Sequence, residues 1–211
     1  YPWRENWKAK GMTMCEIPPI RMLVLTLTGR CNFKCLYCYA SEQDPVDMTE
    51  ETAIAAVALA HVSKNQFLLQ FSGGEPLLQF PLIRKVVDFV EKNHVHAQMQ
   101  IQTNGALLTK DIGKWLFDHH VGIGISCDGR PELMNNLRVS KDGDRSSQKV
   151  IQAFQNLGES NIEAGITCVV TDDTVEQLDG IVDMAYFYGN VHQIGFDILR
   201  EQGRGKGLRA P

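Results

Sequence analysis

Six short strand-like runs alternate along this chain with longer helix-like ones, and that alternation limits the fold more than any other feature. The strand-like runs fall at residues 21–28 (RMLVLTLT), 66–72, 97–103, 121–126, 162–170 and 192–199. Between them, helical patterns are expected at 49–63, 81–93, 109–119, 147–157 and 173–188. Glu50 and Glu51 put acid in one first turn, Thr109 is a candidate cap, and Asp173 with Glu176 reads as a capping box. Leu82, Ile83, Val86, Val87 and Val90 share one face of the second helix, as a helix laid on a sheet requires. Strands and helices alternating over short connections demand a parallel sheet with right-handed crossovers. Six such units curl towards a barrel but do not close it as eight do. The expected fold is α/β, an open TIM-like (β/α)6 partial barrel over residues 21–200, ending at about the sixth strand with no sixth helix. Residues 1–20, with Trp3, Trp7 and Pro18-Pro19, read as an irregular lead-in that packs aromatics on the domain edge. Residues 201–211, EQGRGKGLRAP, read as a flexible Gly-rich exit towards a missing C-terminal region.

A 211-residue chain with 44% hydrophobic content can bury one core. Its net charge of −4 leaves no basic footprint for nucleic acid, so none is expected as a partner. No apolar run nears the roughly 20 residues of a membrane span, and the opening YPWRENWKAK has no apolar signal-peptide centre. No membrane association is expected. The chain does not open on Met and reads as a piece of a longer protein. Six cysteines (15, 31, 35, 38, 127 and 168), three of them in one loop, do not form an extracellular disulfide framework. A reducing cytoplasm is expected.

Directly after the first strand, residues 31–39 read CNFKCLYCY, a CxxxCxxC spacing. The thiolates of Cys31, Cys35 and Cys38 can hold three corners of a [4Fe–4S] cluster. Such a cluster normally takes four cysteines, so one iron stays open to another ligand. A zinc knuckle is the alternative, and no fourth Cys or His lies nearby at ligand spacing. Cys127 and Cys168 stand alone and read as small core residues, and the six histidines show no ligand spacing.

Three further segments sit at the carboxyl ends of predicted strands, where barrel enzymes place their chemistry. Ser72-Gly73-Gly74-Glu75-Pro76 leaves the second strand; its glycines let backbone approach a ligand, and Glu75 offers a counter-charge to an amine. Gln102-Thr103-Asn104-Gly105 ends the third strand, and Ser126-Cys127-Asp128-Gly129 the fourth. Period-two alternation puts Gln98, Gln100 and Gln102 on one face of the third strand, opposite Met99 and Ile101. A glutamine row facing a cavity suits a polar ligand. Gly122, Gly124 and Ser126 share a face of the fourth strand, leaving room for a flat one.

With Tyr37 before its last cysteine, the cysteine loop resembles that of the radical S-adenosylmethionine (SAM) enzymes. The trailing Tyr39-Ala40 resembles the peptide- and protein-modifying (SPASM-type, anaerobic sulfatase-maturing-like) members. The GGE, QTNG and S-x-D-G segments resemble theirs too, so the likeness covers residues 21–200. It implies an open (β/α)6 barrel and two cofactors, a [4Fe–4S] cluster on Cys31, Cys35 and Cys38 and SAM. It implies SAM contacts from Tyr37, Ser72, Gly73, Gly74 and Glu75, with Gln102 and Asn104 at the site. Ser126 would reach the ribose, while Asp128 lines the site or fixes its loops. Reductive cleavage of SAM would give a 5′-deoxyadenosyl radical that takes hydrogen from a peptide or protein substrate, with electrons from a flavodoxin or ferredoxin. No general base is assigned. Met134-Asn135 stands where relatives often carry His-Asp, while Arg138 keeps the arginine that follows. The alternatives are a non-catalytic iron–sulfur redox-sensing or binding module, and a radical SAM enzyme acting on a small molecule. A SAM site is superfluous to a module of that kind.

Overall fold

The computed structural model describes residues 19–211. The aromatic lead-in read from Trp3, Trp7 and Pro18, and the isolated Cys15, lie outside the described residues. Strands β1 (Met22–Thr26), β2 (Phe67–Ser72), β3 (Ala97–Thr103), β4 (Val121–Ser126), β5 (Ala164–Val170) and β6 (Val191–Ile198) form one parallel sheet in chain order. Helices α1 (Glu50–Ala60), α2 (Phe80–Lys92), α3 (Lys110–Asp118), α4 (Pro131–Leu137), α5 (Ser146–Gly158) and α6 (Asp179–Tyr188) fill the crossovers. Because β1 and β6 are both edges, the molecule is the open, partial barrel the alternation demands.

Register explains how one set of strands serves two faces. Leu25, Phe71, Ile101 and Ile123 lie in one cross-strand row and are buried. They meet Val86 and Val87 of α2 and Leu116 of α3 in the main core. Burying a side chain of this size stabilises by about 1.5–3 kcal/mol. One residue along, the side chains turn inward: Gln70 pairs with Gln100, Gln102 with Gly124, and Ser126 with Thr167. The Thr49 and Thr109 hydroxyls accept from the Thr52 and Ile112 amides and start α1 and α3 as caps.

In secondary structure and strand-face packing the fold departs from the sequence expectations in four places. Pro131 and Glu132 open the short α4 inside what reads as an irregular loop. The Asp173–Glu176 capping box does not form. Thr174 Oγ1 instead accepts from the Thr171 amide at 2.8 Å, and a 3₁₀ turn, Val175–Gln177, delays α6 to Asp179. Gln98 faces solvent, so only Gln100 and Gln102 of the glutamine row turn into the barrel. The expected flexible exit at 201–211 folds back: Gly203 and Gly205 are buried, and the Arg204 amide donates to the Cys38 carbonyl at 3.0 Å. No helix of the described residues is long and apolar enough to cross a membrane.

Candidate active site

A cavity of about 770 Å³ opens at the carboxyl ends of the strands. The cysteine loop forms one wall, held by antiparallel hydrogen bonds to the last residue of α4 and the segment after it. Lys34 N donates to Val139 O at 2.7 Å, Leu36 N to Leu137 O at 2.8 Å, and Lys141 N to Asn32 O at 3.0 Å. Phe33 is buried beneath and pins the loop. Cys31, Cys35 and Cys38 all line the cavity. Phe33 N donates to Cys31 Sγ at 3.3 Å, and Asn104 Nδ2 approaches the same sulfur at 3.8 Å while donating to Asn32 Oδ1 at 2.7 Å. Burial pushes the Cys31 and Cys35 thiols up, and the Arg138 charge pulls Cys35 partly back.

Among the described residues no three Cys, His, Asp or Glu side chains converge on a point of single-ion size. A four-iron cube needs no such convergence, since each thiolate takes its own iron. The donor set and the room beside it therefore fit a [4Fe–4S] cluster.

The wall opposite is polar. Gln102 Nε2 donates to Ser126 Oγ at 3.1 Å, and Thr167 Oγ1 donates to Gln102 Oε1 at 3.1 Å, so three strands share one hydrogen-bonded shelf. Thr167 had no signal in the sequence beyond its place in an alternating strand. Gly124 does not leave room for a ligand as its sequence pattern suggests. A Cβ there would sit 2.5 Å from Gln102 Oε1, so the space belongs to that glutamine. Gln102, Ser126, Ser72, Gly73, Gly74 and Asn104 all reach the cavity.

Two expected site residues lie behind its surface. Glu75 does not line the cavity. Its buried carboxylate accepts from the Leu77 and Asn104 amides at 3.0 and 2.8 Å and from the Thr103 hydroxyl at 2.6 Å. The counter-charge expected for a ligand amine is thus spent on tying the β2 turn to the β3 turn. Asp128 also stays off the cavity wall and fixes loops: the Tyr37 hydroxyl donates to Oδ2, and the Val169 amide to Oδ1 at 3.2 Å. Arg138 Nη1 donates to the same Tyr37 hydroxyl and lies 3.4 Å from Asp128 Oδ2. Burial, with Asp128 beside it, drives the Tyr37 phenol well above its ordinary range, so it stays protonated as a donor. Arg138 lines the cavity although almost wholly buried, and among the described residues its Nε has no partner. It is a fixed positive charge with a donor to spare. Where His-Asp is replaced by Met134-Asn135, Asn135 Oδ1 accepts from the Ser147 amide at 3.0 Å and braces the start of α5. Cys127, one residue past β4, and Cys168 in β5 are fully buried core residues, and burial pushes the Cys127 thiol up to about 11.

The Radical SAM superfamily model matches residues 25–185. The uncharacterized protein MJ0907 of Methanocaldococcus jannaschii is 37% identical over 183 residues, covering 86% of this chain and 63% of its own. The radical SAM cyclopropyl synthase TigE of Paramaledivibacter caminithermalis is 29% identical over 92% of this chain and 44% of its own. The structure of native anSMEcpe with bound AdoMet and the Cp18Cys peptide superposes with a TM-score of 0.77 at 25% identity, over 86% of this chain and 51% of that one. The chain thus spans between 44% and 63% of the length of these two curated relatives.

Proposed function

The chain belongs to the radical SAM superfamily, and from that premise we propose that it is the catalytic core of a peptide or protein maturase. The single observation that carries the site assignment is convergence. Three thiols, a two-glycine turn and the Gln102–Ser126–Thr167 shelf border one 770 Å³ cavity at the strand ends. Cys31, Cys35 and Cys38 would hold the [4Fe–4S] cluster. The backbone of Ser72-Gly73-Gly74 and the side chains of Asn104, Gln102 and Ser126 would hold SAM, with Arg138 as the cation for an anionic group. When bound, the pair supplies a 5′-deoxyadenosyl radical able to take hydrogen from an unactivated C–H bond. The chain's own work is to place these groups, with Asp128 and Glu75 locking the loops from behind and Tyr37, which lines the cavity, tying the cysteine loop to Asp128. A peptide substrate is supported by the peptide named in the anSMEcpe structure, to which this chain is similar with a TM-score of 0.77. Electrons would come from a flavodoxin- or ferredoxin-class donor in a reducing cytoplasm, where free thiols persist.

The test is anaerobic reconstitution with iron and sulfide, then measurement of 5′-deoxyadenosine from SAM and dithionite. Roughly four irons per chain and measurable 5′-deoxyadenosine are expected, with the cluster absorbance lost in Cys35→Ala. Full iron in Cys35→Ala would sink the ligand assignment. A cluster that never cleaves SAM would favour a redox-sensing module.

A further inference from the structure

Among the described residues β1 and β6 are the edges of the sheet, yet the segments that leave them meet. After β6 the chain turns at Gly203–Gly205 and lies against the cysteine loop. The Arg204 amide donates to the Cys38 carbonyl at 3.0 Å and to Ser41 Oγ at 2.9 Å. Its guanidinium Nε donates to the Cys35 carbonyl at 2.7 Å. The approach is close enough to require glycine. A Cβ on Gly203, whose φ is +55°, would fall 2.5 Å from the Cys38 carbonyl oxygen, and one on Gly205 would fall 3.3 Å from that of Tyr37. Below the turn, Leu199 packs with Tyr37 and Leu137 in a small separate core that also touches Cys35 and Leu208. The backbone hydrogen bonds from the α4 side end at Leu36; beyond it the loop is held by the Tyr37 hydroxyl on Asp128 and Arg138 and, at the Cys38 carbonyl, by this turn.

We propose that Gly203-Arg204-Gly205 is a clasp across the open seam of the barrel, and that Arg204 is a positioning residue for the iron–sulfur cluster. The inference rests on the cluster assignment made above. Arg204 holds the carbonyls of Cys35 and Cys38, and with them the spacing of the two thiolates. Residues that orient metal ligands from behind contribute about 10–100-fold to metal affinity. Its guanidinium also sets a positive charge beside the cluster, which favours the reduced, more negative state.

The experiment compares wild type, Arg204→Ala, Arg204→Lys and the remote surface variant Lys114→Ala after anaerobic reconstitution. Iron loss to a chelator is followed, and the cluster potential is measured by EPR-monitored titration. Arg204→Ala should lose iron at least about tenfold faster and shift to a more negative potential. Arg204→Lys keeps the charge, so it should recover most of the potential and part of the retention. Lys114→Ala should behave as wild type. A wild-type chain that takes up no cluster would strike the proposed function; equal retention and potential in wild type and Arg204→Ala would overturn the clasp alone. Should Arg204→Ala not fold, hydrogen exchange on the wild-type protein decides. Protection of the Arg204 amide, which donates to the Cys38 carbonyl, supports the clasp, and exchange at the rate of an open tail overturns it.

Discussion

At the scale of single residues, Glu75 carries the clearest energetic commitment. Burial pushes its carboxyl up, while the Thr103, Asn104 and Leu77 donors and the Arg138 charge pull it back. Both oxygens face donors, and an ionised carboxylate offers only acceptors, so the geometry suits the charged form. A glutamine in its place would turn an amide N–H against a backbone N–H of Leu77 or Asn104. Leaving such a buried group unpaired costs about 1–3 kcal/mol. Glu75→Gln should therefore lower unfolding stability by about that amount in a urea titration. The variant should still present Ser72, Gly73 and Gly74 to the cavity, because Glu75 itself does not reach it. A variant as stable as wild type would mean that these hydrogen bonds contribute nothing net.

At the scale of elements, the turns after the strands brace one another as much as they face the cavity. The Gly74 amide donates to Thr28 O at 2.7 Å and the Glu75 amide to Arg30 O at 2.9 Å, so the β2 turn lies on the root of the cysteine loop. A Cβ on Gly74 would meet the Arg30 carbonyl oxygen at 2.2 Å, a backbone clash that no side-chain motion relieves. Gly74→Ala should therefore displace Cys31 and lower reconstituted iron as well as SAM affinity. Full iron with SAM binding alone lost would show that the turn serves the ligand and not the loop. The sequence points to glycine at this position but not to its reason. Strand alternation and the strand-end segments were legible because each is written within a few neighbouring residues. The seven-residue α4 is too short to show a period, and the Thr171–Thr174 turn outcompetes a cap that local spacing favours. The Arg204–Cys35 contact joins positions 169 apart, which no local pattern can announce.

At the scale of the whole molecule, an open barrel has an open mouth. Ile198 and Tyr39 both line the cavity, yet they are 67% and 49% exposed, so its wall on the β6 side stands against solvent. Beside it Phe196 is 50% exposed on β6. Enzymes that handle reactive intermediates exclude water and competing donors from the site. A hydrogen-hungry radical produced in this chain would meet whatever small molecule diffuses in. Substrate-free turnover should then form 5′-deoxyadenosine at a rate that rises with added small thiol. In D2O the product should carry deuterium taken from the exchanged S–D group, leaving a thiyl radical behind. The check is mass analysis of 5′-deoxyadenosine over a range of thiol concentrations. A rate indifferent to thiol and a product without deuterium would mean that the mouth closes in solution.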